Sequence, residues 1–160
     1  MEQLIDQYLN ETDIPANKQY DEDGDVLYFT EFELEHGSFN LTIVISEEYQ
    51  NVTLLLNAPI KVPPSKRGEI AEYLTRANYH SYEGNFILNV NDGSLAYKNS
   101  LRYDPADDNS HIPYQLNISL GMALDELETH FSGILSVIYN DELPDHAHSK
   151  AVLGTRPKLN

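Results

Sequence analysis

Residues Pro59–Arg102 read PIKVPPSKRGEIAEYLTRANYHSYEGNFILNVNDGSLAYKNSLR, and this stretch decides the fold. Pro63 and Pro64 close a strand and open a helix, because a missing N–H costs nothing in the first helical turn. Ile70, Tyr73, Leu74 and Ala77 then recur at helical spacing. Asn78 ends the run, as a residue that tolerates the left-handed conformation common at helix ends. Gly84 turns the chain, and Phe86, Leu88 and Val90 alternate with Asn89 and Asn91. Asp92-Gly93 is a strong hairpin signal, and Leu95, Tyr97 and Leu101 follow at period two on the returning strand. If Gly93 needs positive φ there, a valine in its place is expected to cost about 1–3 kcal/mol. The stretch holds no nucleophile elbow, metal cage or phosphate loop.

Working towards the N-terminus, the segments alternate in the manner of strands. Val26–Leu34, Phe39–Ser46 and Val52–Leu56 are rich in β-branched and aromatic residues. Short polar turns join them, which predicts an antiparallel meander. Before them, Leu4, Ile5, Tyr8 and Leu9 share one face of a short helix, ended by Ile14-Pro15 and followed by a polar loop through Asp25. Towards the C-terminus, Asp104–His111 is a polar loop. Leu120, Leu124, Leu127, Phe131, Ile134 and Ile138 then mark a long amphipathic helix. The segment after Asn140 has no period and several breakers, and is expected to be loosely held. The expectation is one α+β domain over residues 1–140 and a loose tail over 141–160. The domain is a five-stranded antiparallel sheet packed with helices, in the order α-β-β-β-α-β-β-α.

Composition narrows the function classes. A chain of 160 residues with 41% hydrophobic residues can bury a core. It has no cysteine, which removes disulfides and thiolate chemistry. The acidic start MEQLIDQYLNETD lacks a basic n-region, and no run of about 18 apolar residues occurs, so a cytoplasmic protein without a membrane partner is expected. Four Asn-x-Ser/Thr triplets, at Asn10, Asn40, Asn51 and Asn117, are then chance matches. The net charge of −16 is concentrated at the front, with 13 acids and one base in residues 1–58. Such a chain repels phosphate backbones, so no nucleic-acid partner is expected, and it suits a basic or amphipathic protein, or simply solubility.

Candidate sites each carry a plainer reading. Asp21-Glu22-Asp23-Gly24-Asp25 clusters carboxylates, but a calcium loop starting at Asp21 would need Gly and Glu where Val26 and Phe32 stand. A solvated acidic turn fits better. His146 and His148, beside Asp145, offer at most weak metal binding from a breaker-rich tail. Glu126 and His130 read as an ordinary surface pair one helical turn apart. Lys61, Lys66, Arg67 and Arg76 are offset by Glu69 and Glu72, which favours surface charge over an anion site. The expectation is a non-enzyme with no catalytic, cofactor or metal residues.

One oddity points to a partner. The first strand of the meander is apolar on both faces, Leu27 and Phe29 on one and Tyr28, Phe32 and Leu34 on the other. Val52, Leu54 and Leu56 lie opposite Leu55. A sheet covered by helices on one side needs only one apolar face. The second needs a cover: a second subunit, a bound segment, or the last helix and tail of the same chain. Tyr28, Phe32, Leu34, Val52, Leu54 and Leu56 are the candidate partner or homodimer surface, and such a dimer should strengthen as salt screens the acidic charge.

The strand end Pro59-Ile60-Lys61-Val62-Pro63, the helix end Asn78-Tyr79, Gly84-x-Phe86, and Asn91-Asp92-Gly93-Ser94-Leu95-Ala96-Tyr97 with Ser100-Leu101 carry a resemblance. They resemble the YbjN family of small bacterial proteins, labelled sensory transduction regulators, over roughly Asp25 to Asn140. The resemblance implies a fold similar to type III secretion chaperones, usually homodimeric, and supplies no catalytic residues. It favours a chaperone-like or regulatory module acting on an unknown protein partner. The alternative is a small-molecule sensor or enzyme using a pocket between sheet and helices.

Overall fold

The computed structural model describes residues 1–154. Its elements are α1 (Glu2–Glu11), β1 (Asn17–Tyr20), β2 (Val26–Leu34), β3 (Gly37–Ser46), β4 (Asn51–Lys61), α2 (Arg67–Asn78), β5 (Asn85–Leu88), β6 (Ser94–Arg102), α3 (Ile112–Tyr139) and α4 (Pro144–Gly154). The sheet has six strands rather than the expected five, in spatial order β1-β2-β3-β4-β6-β5, with every pair antiparallel. The meander β1–β4 therefore continues into β6, and α2 carries the chain past β6 to the far edge.

The extra strand, β1, lies in the polar stretch before Asp25 that the sequence predicts as loop, since Asn17–Tyr20 shows no apolar alternation. Charge holds it instead. Lys18 Nζ lies 2.8 Å from an oxygen of Asp6, also pairs with Glu2, and sits 5.2 Å above the centre of the Tyr28 ring. Tyr20 donates to Glu2 at 2.8 Å, and Tyr28 donates to Asp6 at 2.8 Å. These bonds fix α1 across the β1–β2 edge of the sheet.

One face of the sheet carries the core. Val26, Tyr28, Phe39, Leu41, Ile43, Ile45, Val52, Leu54, Leu56, Leu95 and Tyr97 form a single cluster with buried residues of all four helices. The expected stripe of α3 is there, with Leu120, Leu127, Phe131, Ile134 and Ile138 buried and Leu124 packed at its margin. Phe39 meets Phe131 edge to face, with ring centres 4.8 Å apart.

Two junctions differ from expectation. Asn78 ends α2 without a left-handed residue: its amide donates to Phe86 O at 3.0 Å, and its carbonyl accepts from Phe86 N at 2.7 Å. The side chain thus stands in for a strand partner and aims β5. The β5–β6 connection is a five-residue loop, Asn89–Gly93, closed by Gly93 N donating to Asn89 O at 2.7 Å. Val90 consequently leaves the strand and is 62% exposed.

The tail expected to be loose from residue 141 onward is largely ordered structure. Pro144–Gly154 form α4, which packs on α2 and α3 with Pro144, Ala147 and Ala151 buried. Lys66 pairs with Asp141 at 2.6 Å, and Ser136 donates to Glu142 at 2.6 Å, tying down the link before it. Residues 155–160, the end of that expected tail, lie outside the described residues.

Candidate functional site

The expected partner surface is, for the most part, interior. Tyr28, Val52, Leu54 and Leu56 are 3%, 0%, 2% and 0% exposed, and Phe32 and Leu34 are half-buried against the same core. The register gives the physical reason. Tyr28 pairs with Ile43, and Ile43 with Leu54, so these residues share the face that the helices cover.

The opposite residues make the surface that remains. Register builds two rows across the strands: Gln19, Leu27, Val44, Thr53, Ser100; and Asn17, Phe29, Thr42, Leu55, Lys98. Directly paired side chains in such rows lie about 5 Å apart, so Leu27, Phe29, Val44 and Leu55 form one apolar patch. All four are half-buried and stand outside the core cluster. Thr53 and Ser100 join hydroxyls at 2.8 Å beside them. The residues expected on the uncovered face therefore lie on the covered one, and Leu27, Phe29, Val44 and Leu55 lie on the other.

An open edge adjoins the patch. β1 pairs with Val26–Phe29 alone, leaving Thr30–Leu34 of β2 without a strand on that side among the described residues. A cleft of about 430 Å³ lies there, lined by Pro15, Asn17, Phe29, Thr30, Glu31 and Asn40. Glu31 and Glu33 are exposed on the patch side of this half-strand. Carboxylates at an open edge discourage indiscriminate strand pairing.

The other sequence candidates resolve into ordinary structure or into something new. Asp21 Oδ1 accepts from Asp23 N at 3.0 Å and Asp25 N at 2.9 Å, so backbone donors already use one oxygen of the carboxylate that opens the acidic turn. Melting temperature is therefore expected to be unchanged by EDTA; a clear fall on chelation would instead place a cation at Asp21–Asp25. Lys61 pairs with Asp92, Lys66 with Glu69 and Asp141, and Arg76 with Glu72. Arg67 donates to the carbonyls of Val62, Val90 and Asn91 at 3.2, 2.8 and 3.1 Å, a clamp on the hairpin loop. Glu126 and His130 are no surface pair: His130 is buried, 3.6 Å from the carboxylate, and burial pushes its pKa down to about 4. His146 and His148 diverge on α4, with His146 exposed beside Asp145 and His148 turned inward against the His130 ring.

The interior between sheet and helices, where a sensor or enzyme pocket was the alternative, is filled by Tyr73, Tyr97, Phe39 and Phe131. Two clefts lie instead over the helices. One of about 440 Å³ is lined by Thr75, Arg76, Tyr79, His80 and His148, and one of about 470 Å³ runs along α3 and α4.

Solved structures share this architecture. The chain is similar to YbjN from E. coli, with 14% identity, a TM-score of 0.59, and coverage of 80% of this chain and 89% of that one. It is similar to the ExsC–ExsE complex, with 17% identity, a TM-score of 0.51, and coverage of 79% and 86%. A chain of the HopA1–SchA chaperone–effector complex gives 15% identity and a TM-score of 0.47 over 79% and 88%. No curated protein matches the chain. Residues 3–136 match the model of a family described as "putative bacterial sensory transduction regulator", and the chain belongs to that family, YbjN.

Proposed function

We propose that this protein is a non-enzymatic, chaperone-like module that binds a segment of another protein on the uncovered face of its sheet. The observation that carries the reading is the patch Leu27, Phe29, Val44 and Leu55, half-buried and outside the core cluster, on a sheet whose helices all lie on the other side. The partner's chemistry follows from the rim. Residues 1–58, which supply β1–β3 and most of β4, hold 13 acids and one base, and Glu31 and Glu33 flank the patch. The occupant is therefore an amphipathic segment with apolar side chains for Phe29 and Leu55 and Lys or Arg at its margins. The open half of β2 gives an extended segment backbone groups to pair with. The likeness of fold to a chain of the ExsC–ExsE complex supports a protein partner.

A second copy of the chain is the competing occupant, as the homodimer expected from the sequence. It would bring like charge together, since each chain carries −16. The test compares wild type with Phe29→Lys/Leu55→Lys after circular dichroism has shown both folded. Wild type is expected to retain a stoichiometric protein from lysate that the double variant releases and that high salt weakens. Retention unchanged in the double variant would sink the proposal. So would a dimer in light scattering that the same substitutions dissolve, since the face would then belong to a second copy. A small molecule co-purifying without a protein would favour the sensor reading.

A further inference from the structure

Three imidazoles, one on α3, one on α4 and one just past α2, stack at the seam where α4 docks. His130 of α3 and His148 of α4 lie with ring centres 5.4 Å apart and planes 9° from parallel. His80, just past α2, continues the stack on the other side of His148 at 6.5 Å and 15°. Tyr73 meets both His130 and His148 edge to face at 6.0 and 5.9 Å, and Phe86 meets His130 at 5.8 Å. Tyr73 Oη donates to His130 O at 3.0 Å and lies 3.3 Å from its Nδ1. His148 Nε2 is buried with no hydrogen-bond partner among the described residues.

The other side chains that α4 buries are small. Its buried residues are Pro144, Ala147 and Ala151, side chains that bury little apolar area. The His148 ring is therefore the largest group that α4 inserts against α2 and α3, and it stacks on His130.

We propose that α4 is an acid-released latch, docked while His130 and His148 are neutral and freed when they take up protons. Two imidazolium rings at this spacing repel, and burial denies them water. The surrounding charges work in the same direction. Burial first, then His80 and Arg76 at the α2 end, hold the pKa of His148 below the ordinary value. His130 is held down by burial first, then by His148 and His80. Tyr73, buried, stays neutral through the range. Among the described residues the carboxylate paired with His130 is that of Glu126, whose own pKa is raised by burial, so its charge offsets the cluster least where acid acts. Arg76 is itself paired with Glu72 at 2.7 Å.

The sign follows. Both histidines have docked pKa values below the free value of about 6.5, so docking is intact above that pH and weakens as pH falls below it. At pH 5.0 each histidine that stays neutral when docked shifts the balance towards the released helix by up to about 30-fold. Release uncovers the Tyr73 and His130 rings in the groove between α2 and α3.

Amide hydrogen exchange, corrected for the intrinsic effect of pH, tests the latch on the full chain at pH 7.5 and 5.0. Protection across residues 147–154 is expected to fall tenfold or more relative to β3 and β4. His148→Phe, which keeps a ring and removes the proton site, is expected to abolish most of that fall, whereas exposed His146→Gln should leave it. Equal loss in His148→Phe, or no loss in wild type, would overturn the proposal. Proton NMR of the histidine rings in wild type gives a reading free of any substitution: His130 and His148 should titrate below the ordinary histidine range, and titration of both near pH 6.5 would end the idea.

Discussion

Gly93→Val is expected to lower stability by about 3–5 kcal/mol, a fall in melting temperature on the order of 10 °C. The turn by itself accounts for the smaller part. Gly93 has φ +80°, a conformation that β-branched residues resist, and this costs about 1–3 kcal/mol. The larger part is contact. A Cβ at this position would stand 2.2 Å from Val62 O and 3.1 Å from Val62 N, both backbone atoms that cannot swing aside. Gly93 O accepts from Val62 N at 2.8 Å, and Arg67 clamps the same loop, so the displacement would break the join between hairpin and α2. Thermal melting with far-UV circular dichroism checks it. A variant melting within about 2 °C of wild type would mean that the loop does not dock on Val62 as described.

Much of this fold is legible in residues that allow one reading. Phe39, Leu41, Ile43 and Ile45 alternate with Asn40 and Thr42, so β3 declares its buried face without ambiguity. β2 does not, because Leu27 and Phe29 are as apolar as Tyr28 and Phe32. The faces are resolved by pairing: whichever residues of β2 and β4 stand opposite Ile43 must join its side of the sheet, and those are Tyr28 and Leu54. Reading β2 alone puts Tyr28 and Phe32 on the uncovered face; reading it against β3 puts Leu27, Phe29 and Leu55 there.

The parts that stayed hidden share a cause. β1 and α4 are held less by broad apolar faces than by groups that a hydropathy period does not register. Asn17–Tyr20 is a strand because Lys18 and Tyr20 find Glu2 and Asp6 on α1, three elements brought together only by folding. Pro144–Gly154 buries two alanines and a proline, and its largest inserted ring is a histidine. His130 sits on the buried side of a helix whose stripe is plain, one residue before Phe131, and that placement was the available sign that it is interior. The candidate site divides the same way. The need for a second apolar face was readable; its side, its open edge and the histidine stack required the register and the docking of α4.

Gly133→Ala is expected to destabilise the chain by about 2–4 kcal/mol, although alanine is the better helix former by roughly 1 kcal/mol. Gly133 lies buried in α3, and its missing side chain is the space that Tyr73 occupies. A Cβ there would meet Tyr73 Oη at 2.2 Å, Cζ at 2.8 Å and Cε2 at 2.9 Å. Tyr73 cannot retreat easily, being 0% exposed, with its hydroxyl bound to His130 O at 3.0 Å. The methyl therefore forces α2 from α3 or expels the ring, and either disturbs the floor on which His148 stacks. Tyr73→Phe alone should cost about 1 kcal/mol through the lost hydrogen bond. Combined with Gly133→Ala it removes the closest atom of the clash while Cζ and Cε2 remain, so the double variant should be less destabilised than the two single losses together. Denaturant unfolding of the four proteins measures the cycle. Gly133→Ala as stable as wild type, or strictly additive losses, would mean that Tyr73 does not fill the gap in α3.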